Sequence, residues 1–144
     1  MTRFLLDINV LIALIDPMHM QHGRAHHWFA STAKKAWATC PITEIGTLRI
    51  VGNRRYPASP GTPAVVARLL ASLRNLPGHE FWPDHLSLLD TSIVNPARML
   101  DSSHVTDTYL LALAAARHGK LATFDRGIVT GAVHGGAAAI DVIG

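Results

Sequence analysis

The sequence predicts an α/β fold, a mostly parallel sheet with helices on both faces. Three observations predict it. Short apolar runs of strand length, among them Phe4-Leu5-Leu6 and Lys120-Leu121-Ala122-Thr123-Phe124, alternate with segments whose apolar residues recur at helical spacing. Strand–helix–strand crossovers force parallel pairing and cover both sheet faces. The third is size: 144 residues, 49% of them hydrophobic, form one domain over 1–144 with a core of its own, without internal repeats.

Each element has a local reason. Residues 3–6 read as the first strand. Asn9 is the expected N-cap of a short helix through Ile15, which Asp16-Pro17 ends because a residue before proline is pushed out of the helical region. A second helix is expected from His22 to Ala33, with Ala25, Trp28, Phe29 and Thr32 inward and Lys34-Lys35 complementing its C-terminal dipole. Ala36–Thr39 is the second strand. Pro41 suits the first turn of a third helix, which Ile45, Leu48, Ile50 and Val51 carry toward Gly52. A basic, proline-rich loop follows over 53–61. The fourth helix spans Thr62 to Asn75, with Val65, Val66, Leu69, Leu70 and Leu73 inward. His79–Trp82 is the third strand, and Pro96–Leu100 a turn of helix in an otherwise irregular 84–100 segment. Ser102-Ser103 are expected to cap a fifth helix, His104 to His118, ended by Gly119. Lys120–Phe124 and Ala138–Val142 are the fourth and fifth strands, with Gly135-Gly136 as the turn into the last.

Composition narrows the function classes. No stretch is long and charge-free enough to span a bilayer, and Asp7 and Asn9 interrupt the N-terminal apolar run, against a signal peptide. Cys40 is the single cysteine, so no intrachain disulfide forms and a reducing cytoplasm is the expected compartment. The net charge is +3, but if four acids share one pocket the rest of the surface sets 13 cations against six acids. A basic exterior around an acidic pocket suits a polyanion, although ordinary solubility charge explains the total equally well.

Four carboxylates fall at one edge of this outline. Asp7 directly follows the first strand and Asp125 the fourth; Glu44 and Asp107 lie in the first turns of the third and fifth helices. In a parallel sheet, strand ends and the starts of the following helices share an edge, where ligands bind in open α/β folds. Taken singly, each acid is equally well a helix cap or a dipole-favoured first-turn residue. Together they would repel one another, and a hard divalent cation with oxygen ligands relieves that repulsion. Carboxylates without His or Cys favour magnesium or manganese over zinc, and such ions act on phosphates.

These residues are where the chain resembles a known family. The segments LLDINVLIALID at 5–16, PITEIGTLRI at 41–50 and HVTDTYLLALAAARHGKLATFDRGI at 104–128 resemble PIN-domain ribonucleases, above all VapC-type toxins of bacterial toxin–antitoxin pairs. The resemblance implies a three-layer α/β/α sandwich with a five-stranded parallel sheet ordered 3-2-1-4-5. It also implies metal-dependent endonuclease action on RNA, leaving 5′-phosphate products. Asp7, Glu44, Asp107 and Asp125 would form the acidic quartet, with Asp7, Asp107 and Asp125 holding Mg2+ or Mn2+ and Glu44 orienting or deprotonating the attacking water. Asn9 and Thr123 stand where the family often places a small polar residue that assists the site. Gly127 departs from the pattern, since many relatives carry a further acid there, which puts the number of metal ions in doubt. The implied partners are an RNA substrate, a cognate antitoxin protein and a second copy in a homodimer.

Arg49, Arg54 and Arg55 are candidate RNA contacts near Glu44, or a solvated helix end and loop. His19, His22, His26 and His27 lack the other half of a zinc signature and read as surface polarity beside Trp28 and Phe29. Three alternatives stay in view: a housekeeping PIN nuclease of RNA processing, a non-catalytic RNA-binding PIN module, and a phosphatase of the haloacid-dehalogenase kind. The last wants an acid where this chain has Asn9.

Overall fold

The computed structural model describes residues 1–144. Five parallel strands, β1 (Phe4–Leu6), β2 (Trp37–Thr39), β3 (His79–Phe81), β4 (Lys120–Thr123) and β5 (Ile140–Val142), lie in the order β3-β2-β1-β4-β5. This is the expected sheet, in the expected order. β1 sits at its centre, with Leu5 opposite Ala38 on one side and Leu121 on the other.

The period of two along β1 divides the interior. Leu5 points into a core shared with Trp82, Val94, Leu110, Leu113 and Leu121, under α5 (Val105–Ala116). Phe4 and Leu6 point the other way, into a core with Val10, Leu14, Phe29, Trp37 and Leu70. That second face is covered by α1 (Ile8–Ile15), α2 (His22–Trp28) and α4 (Pro63–Arg74). α3 (Pro41–Val51) joins the layer through Val51, which packs with Ile12 and Val66. Gly46 lets α3 approach α1 closely, because a Cβ there would collide with the end of Ile8.

Several local expectations need correcting. Asp7, not Asn9, caps α1: its backbone is extended, and its side chain accepts the Ile8 N–H. The helix therefore starts one residue after the strand, and Asn9 is free for the site. α2 runs into a π-turn over Phe29–Ala33, closed by Lys34 N–H to Phe29 O at 2.9 Å. The wider turn puts Ala33 inside and leaves Thr32 exposed. On α3 the inward residues are Thr43, Thr47 and Val51, while Ile45 and Ile50 face solvent. Both threonine hydroxyls are satisfied locally, Thr47 on Thr43 O at 2.8 Å and Thr43 on Cys40 O at 3.1 Å, so their burial leaves no orphan. On α4, Leu69 is likewise partly in solvent. α5 begins at Val105, after a 3₁₀ turn over Ser102–His104 that Asp101 caps through the Ser103 N–H. His118, not Gly119, takes the left-handed conformation that ends it (φ 56°), and Gly119 N–H closes the turn on Ala114 O.

Residues 84–100 pack on the α5 face without regular elements except a 3₁₀ turn at Pro96–Arg98. Backbone bonds to the 132–134 segment hold them: Asn95 N–H to Ala132 O at 2.8 Å and His134 N–H to Ile93 O at 3.0 Å. A 3₁₀ turn over Gly136–Ala139 shortens the last strand to Ile140–Val142.

Candidate active site

The central strands end in a hydrogen-bonded frame. Asp7 is 6% exposed as it leaves β1. Its Oδ1 accepts the Ile8 N–H at 2.7 Å, and its Oδ2 accepts the Thr123 hydroxyl at 2.7 Å. Thr123 is fully buried at the end of β4 and serves three neighbours with one oxygen. It donates to Asp7 and accepts from the Asp125 N–H (3.0 Å) and from Asn9 Nδ2 (3.3 Å). Asn9 returns to β4 by accepting the Phe124 N–H at 3.3 Å. Asp125 is held in turn by the Gly127 N–H on its Oδ1, at 2.7 Å. Position 127 thus contributes a backbone donor to the site.

Electrostatics tie a third acid to this frame. Asp107, in the first turn of α5, is half-buried. Its carboxyl is pushed up to about 6, first by burial and then by the charges of Asp7 and Asp125. Burial also pushes Asp7 above the usual carboxylate range, against the bonds from Thr123 and Ile8 that favour its ionised form, and Asp125 adds repulsion. Asp7, Asp107 and Asp125 therefore act on one another's charge at the edge of the sheet.

Glu44, in the first turns of α3, has partners of its own. Its Oε2 accepts the Thr39 hydroxyl at 2.7 Å and lies 3.2 Å from Arg74 Nη1. Thr39 also meets His79 Nε2 at 2.8 Å. Burial and the charges of Arg74 and Arg3 push the His79 imidazole down to about 4, so it is neutral beside the hydroxyl. This second polar knot, Thr39–Glu44–Arg74–His79, sits at the ends of β2 and α4. Sequence reasoning missed Arg74 and His79. No local signal could have shown them, since Arg74 reaches Glu44 from 30 residues further along the chain and His79 reaches Thr39 from 40.

The donor set, three carboxylates braced by a hydroxyl and an amide, is all oxygen and suits a hard divalent cation. Burial and mutual repulsion of the acids are what such a charge would relieve. No three His, Cys, Asp or Glu side chains are gathered tightly enough in this structure to hold an ion jointly. The acids are coupled but not closed.

No protein-family model matches the chain. Individual proteins do. It is 43% identical over 133 residues to Ribonuclease VapC44 of Mycobacterium tuberculosis (strain ATCC 25618 / H37Rv), an overlap of 92% of this chain and 93% of that one. Ribonuclease VapC39 of the same strain is 43% identical over 131 residues, 91% of this chain and 94% of its own. Ribonuclease VapC38 is 40% identical over 126 residues, 88% and 87%. The chain belongs to the VapC ribonucleases.

Against that VapC background the remaining candidates can be placed. Arg49, Arg54 and Arg55 are all exposed and make no ion pair, with Arg49 lining a cleft beside Ile8, Ile42, Ile45 and Thr106. The histidines do more than supply surface polarity. His22 Nδ1 lies 2.7 Å from Ala13 O and His26 Nε2 2.8 Å from Leu14 O, so two rings of α2 satisfy the last turn of α1.

Proposed function

We propose that this VapC chain is an endoribonuclease, the toxin of a toxin–antitoxin pair, that hydrolyses RNA phosphodiester bonds with the help of magnesium or manganese. The observation that carries the reading is the coupled trio Asp7, Asp107 and Asp125 at the carboxyl edge of a parallel sheet, fixed by Thr123 and Asn9. These three carboxylates would hold the ion. A bound divalent cation neutralises phosphate charge and makes a bound water more acidic. The protein's own groups do the rest. Thr123 fixes which oxygen of Asp7 faces the site, and Gly127 does the same for Asp125. Glu44, anchored through Oε2, has an Oε1 with no protein partner, and this oxygen takes the proton of the attacking water.

The chain works as one catalytic domain over 1–144, in the cytoplasm and as a homodimer. The buried free thiol of Cys40 suits a reducing compartment, and no helix is long and apolar enough to cross a membrane. The apolar cleft of about 280 Å³ lined by Ile8, Ile42, Ile45, Gly46, Arg49, Ile50 and Thr106 suits an antitoxin segment. Arg49, Arg54 and Arg55 supply cations to the RNA backbone.

The test is cleavage of structured RNAs with magnesium or manganese, with EDTA and Asp7→Asn as controls. The expected result is cleavage that both controls abolish. Cleavage that persists in both overturns the metal-nuclease reading.

A further inference from the structure

One exposed aromatic at this edge has no part in the chemistry above. Phe81 ends β3 and pairs in register with Thr39 at the end of β2, so its ring stands at the same carboxyl edge as Asp7. β3 lies two strands from β1, which puts Phe81 roughly 10 Å along the sheet from the acids. Of the nine Phe, Trp and Tyr residues it is the only one that is exposed, at 40%. Arg74 lies over the ring, its guanidinium carbon 5.2 Å from the centroid. The same guanidinium reaches Glu44 at 3.2 Å, so the ring, the cation and a site carboxylate form one continuous surface.

A cation–π pair in water contributes little to folding, so stability does not account for leaving this ring open. Single-stranded RNA supplies what it lacks. Unpaired bases stack on aromatic rings and guanidinium planes, and the planar fork of arginine also pairs with phosphate oxygens. Glu44 takes up part of the Arg74 charge, and Arg74 in turn screens Glu44 from an approaching phosphate.

We propose that Phe81 and Arg74 form a base-stacking subsite that holds an unpaired nucleotide beside the scissile phosphate. The proposal rests on the ribonuclease reading above. The subsite selects single-stranded over duplex RNA, because a base within a duplex cannot offer its face to Phe81.

The test is fluorescence anisotropy of a labelled single-stranded adenosine oligonucleotide with the full chain in EDTA, so that binding is read apart from cleavage. Phe81→Ala is expected to weaken binding about 5- to 150-fold, as loss of one base–aromatic stack does. Phe81→Leu, which keeps apolar bulk without a ring face, is expected to weaken it similarly, and Phe81→Trp to retain it. Thermal unfolding of each variant verifies the fold. A wild type that binds while Phe81→Ala and Phe81→Leu stay within about twofold of it overturns the subsite alone. A wild type that binds no RNA and cleaves none overturns the subsite together with the ribonuclease reading.

Discussion

Replacing Asp107 by asparagine reads the cost of holding its carboxyl, half-buried and beside other acids, in the ionised form. In the fold the Asp107 carboxyl sits at about 6 instead of 3.8, chiefly through burial, with Asp7 and Asp125 adding repulsion. A group whose folded value is raised stabilises the fold at low pH, and that contribution is lost as pH rises through about 6. At pH 7, about 1.4 kcal/mol per tenfold change in acidity gives about 3 kcal/mol against the metal-free fold. Asp107 is only half-buried, and solvent screening cuts this to about 1–1.5 kcal/mol. Asparagine has nearly the same shape and no charge. Metal-free Asp107→Asn should therefore melt about 3–6 °C above the wild type at pH 7. The gap should close as pH falls from 7 to 4, where the wild-type acid becomes protonated. The comparison must be between the two proteins, because His79 titrates with the opposite sign. Its folded value, about 4, lies below 6.5, so the stability it confers is present at neutral pH and lost as pH falls through that range. Calorimetry in EDTA across pH 4–8 reads the gap. A variant less stable than the wild type, or a gap that does not change with pH, would refute the raised Asp107 carboxyl.

Further expectations follow from the same frame. Asp7→Asn keeps an oxygen for the Ile8 N–H, so cleavage should fall on the order of 10³-fold while near-UV circular dichroism and metal-free stability are preserved. A marked loss of stability would return Asp7 to a purely structural role. Thr123→Val strands an Asp7 oxygen and the Asp125 N–H, and should cost about 1–3 kcal/mol in urea unfolding. It should also weaken manganese binding about 10- to 100-fold by calorimetric titration, since Thr123 orients the carboxylates; unchanged manganese affinity would rule out that orienting role. His79 should remain neutral at pH 5.5 by NMR titration of its ring, and a proton taken up above pH 6 would show that burial and the Arg74 and Arg3 charges do not hold it neutral.

What the sequence by itself determined is what short-range patterns encode. Strand runs such as Phe4-Leu5-Leu6, helix periodicity, and acids placed directly after strands one and four are local features, so the parallel sheet and the position of Asp7 and Asp125 at its edge were legible. Strand order came from the family resemblance, since local patterning does not say which strands become neighbours. Element ends were less legible because competing caps differ only in local geometry: Asp7 displaced Asn9, and a π-turn displaced Thr32 from the core. Only the tertiary structure decided which groups meet. It joined Asn9 and Thr123 across 114 residues, and it brought Arg74 to Glu44 and His79 to Thr39. Hydrogen bonds and ion pairs depend on distances of a few ångströms between side chains, and those distances are set only once the helices have packed on the sheet.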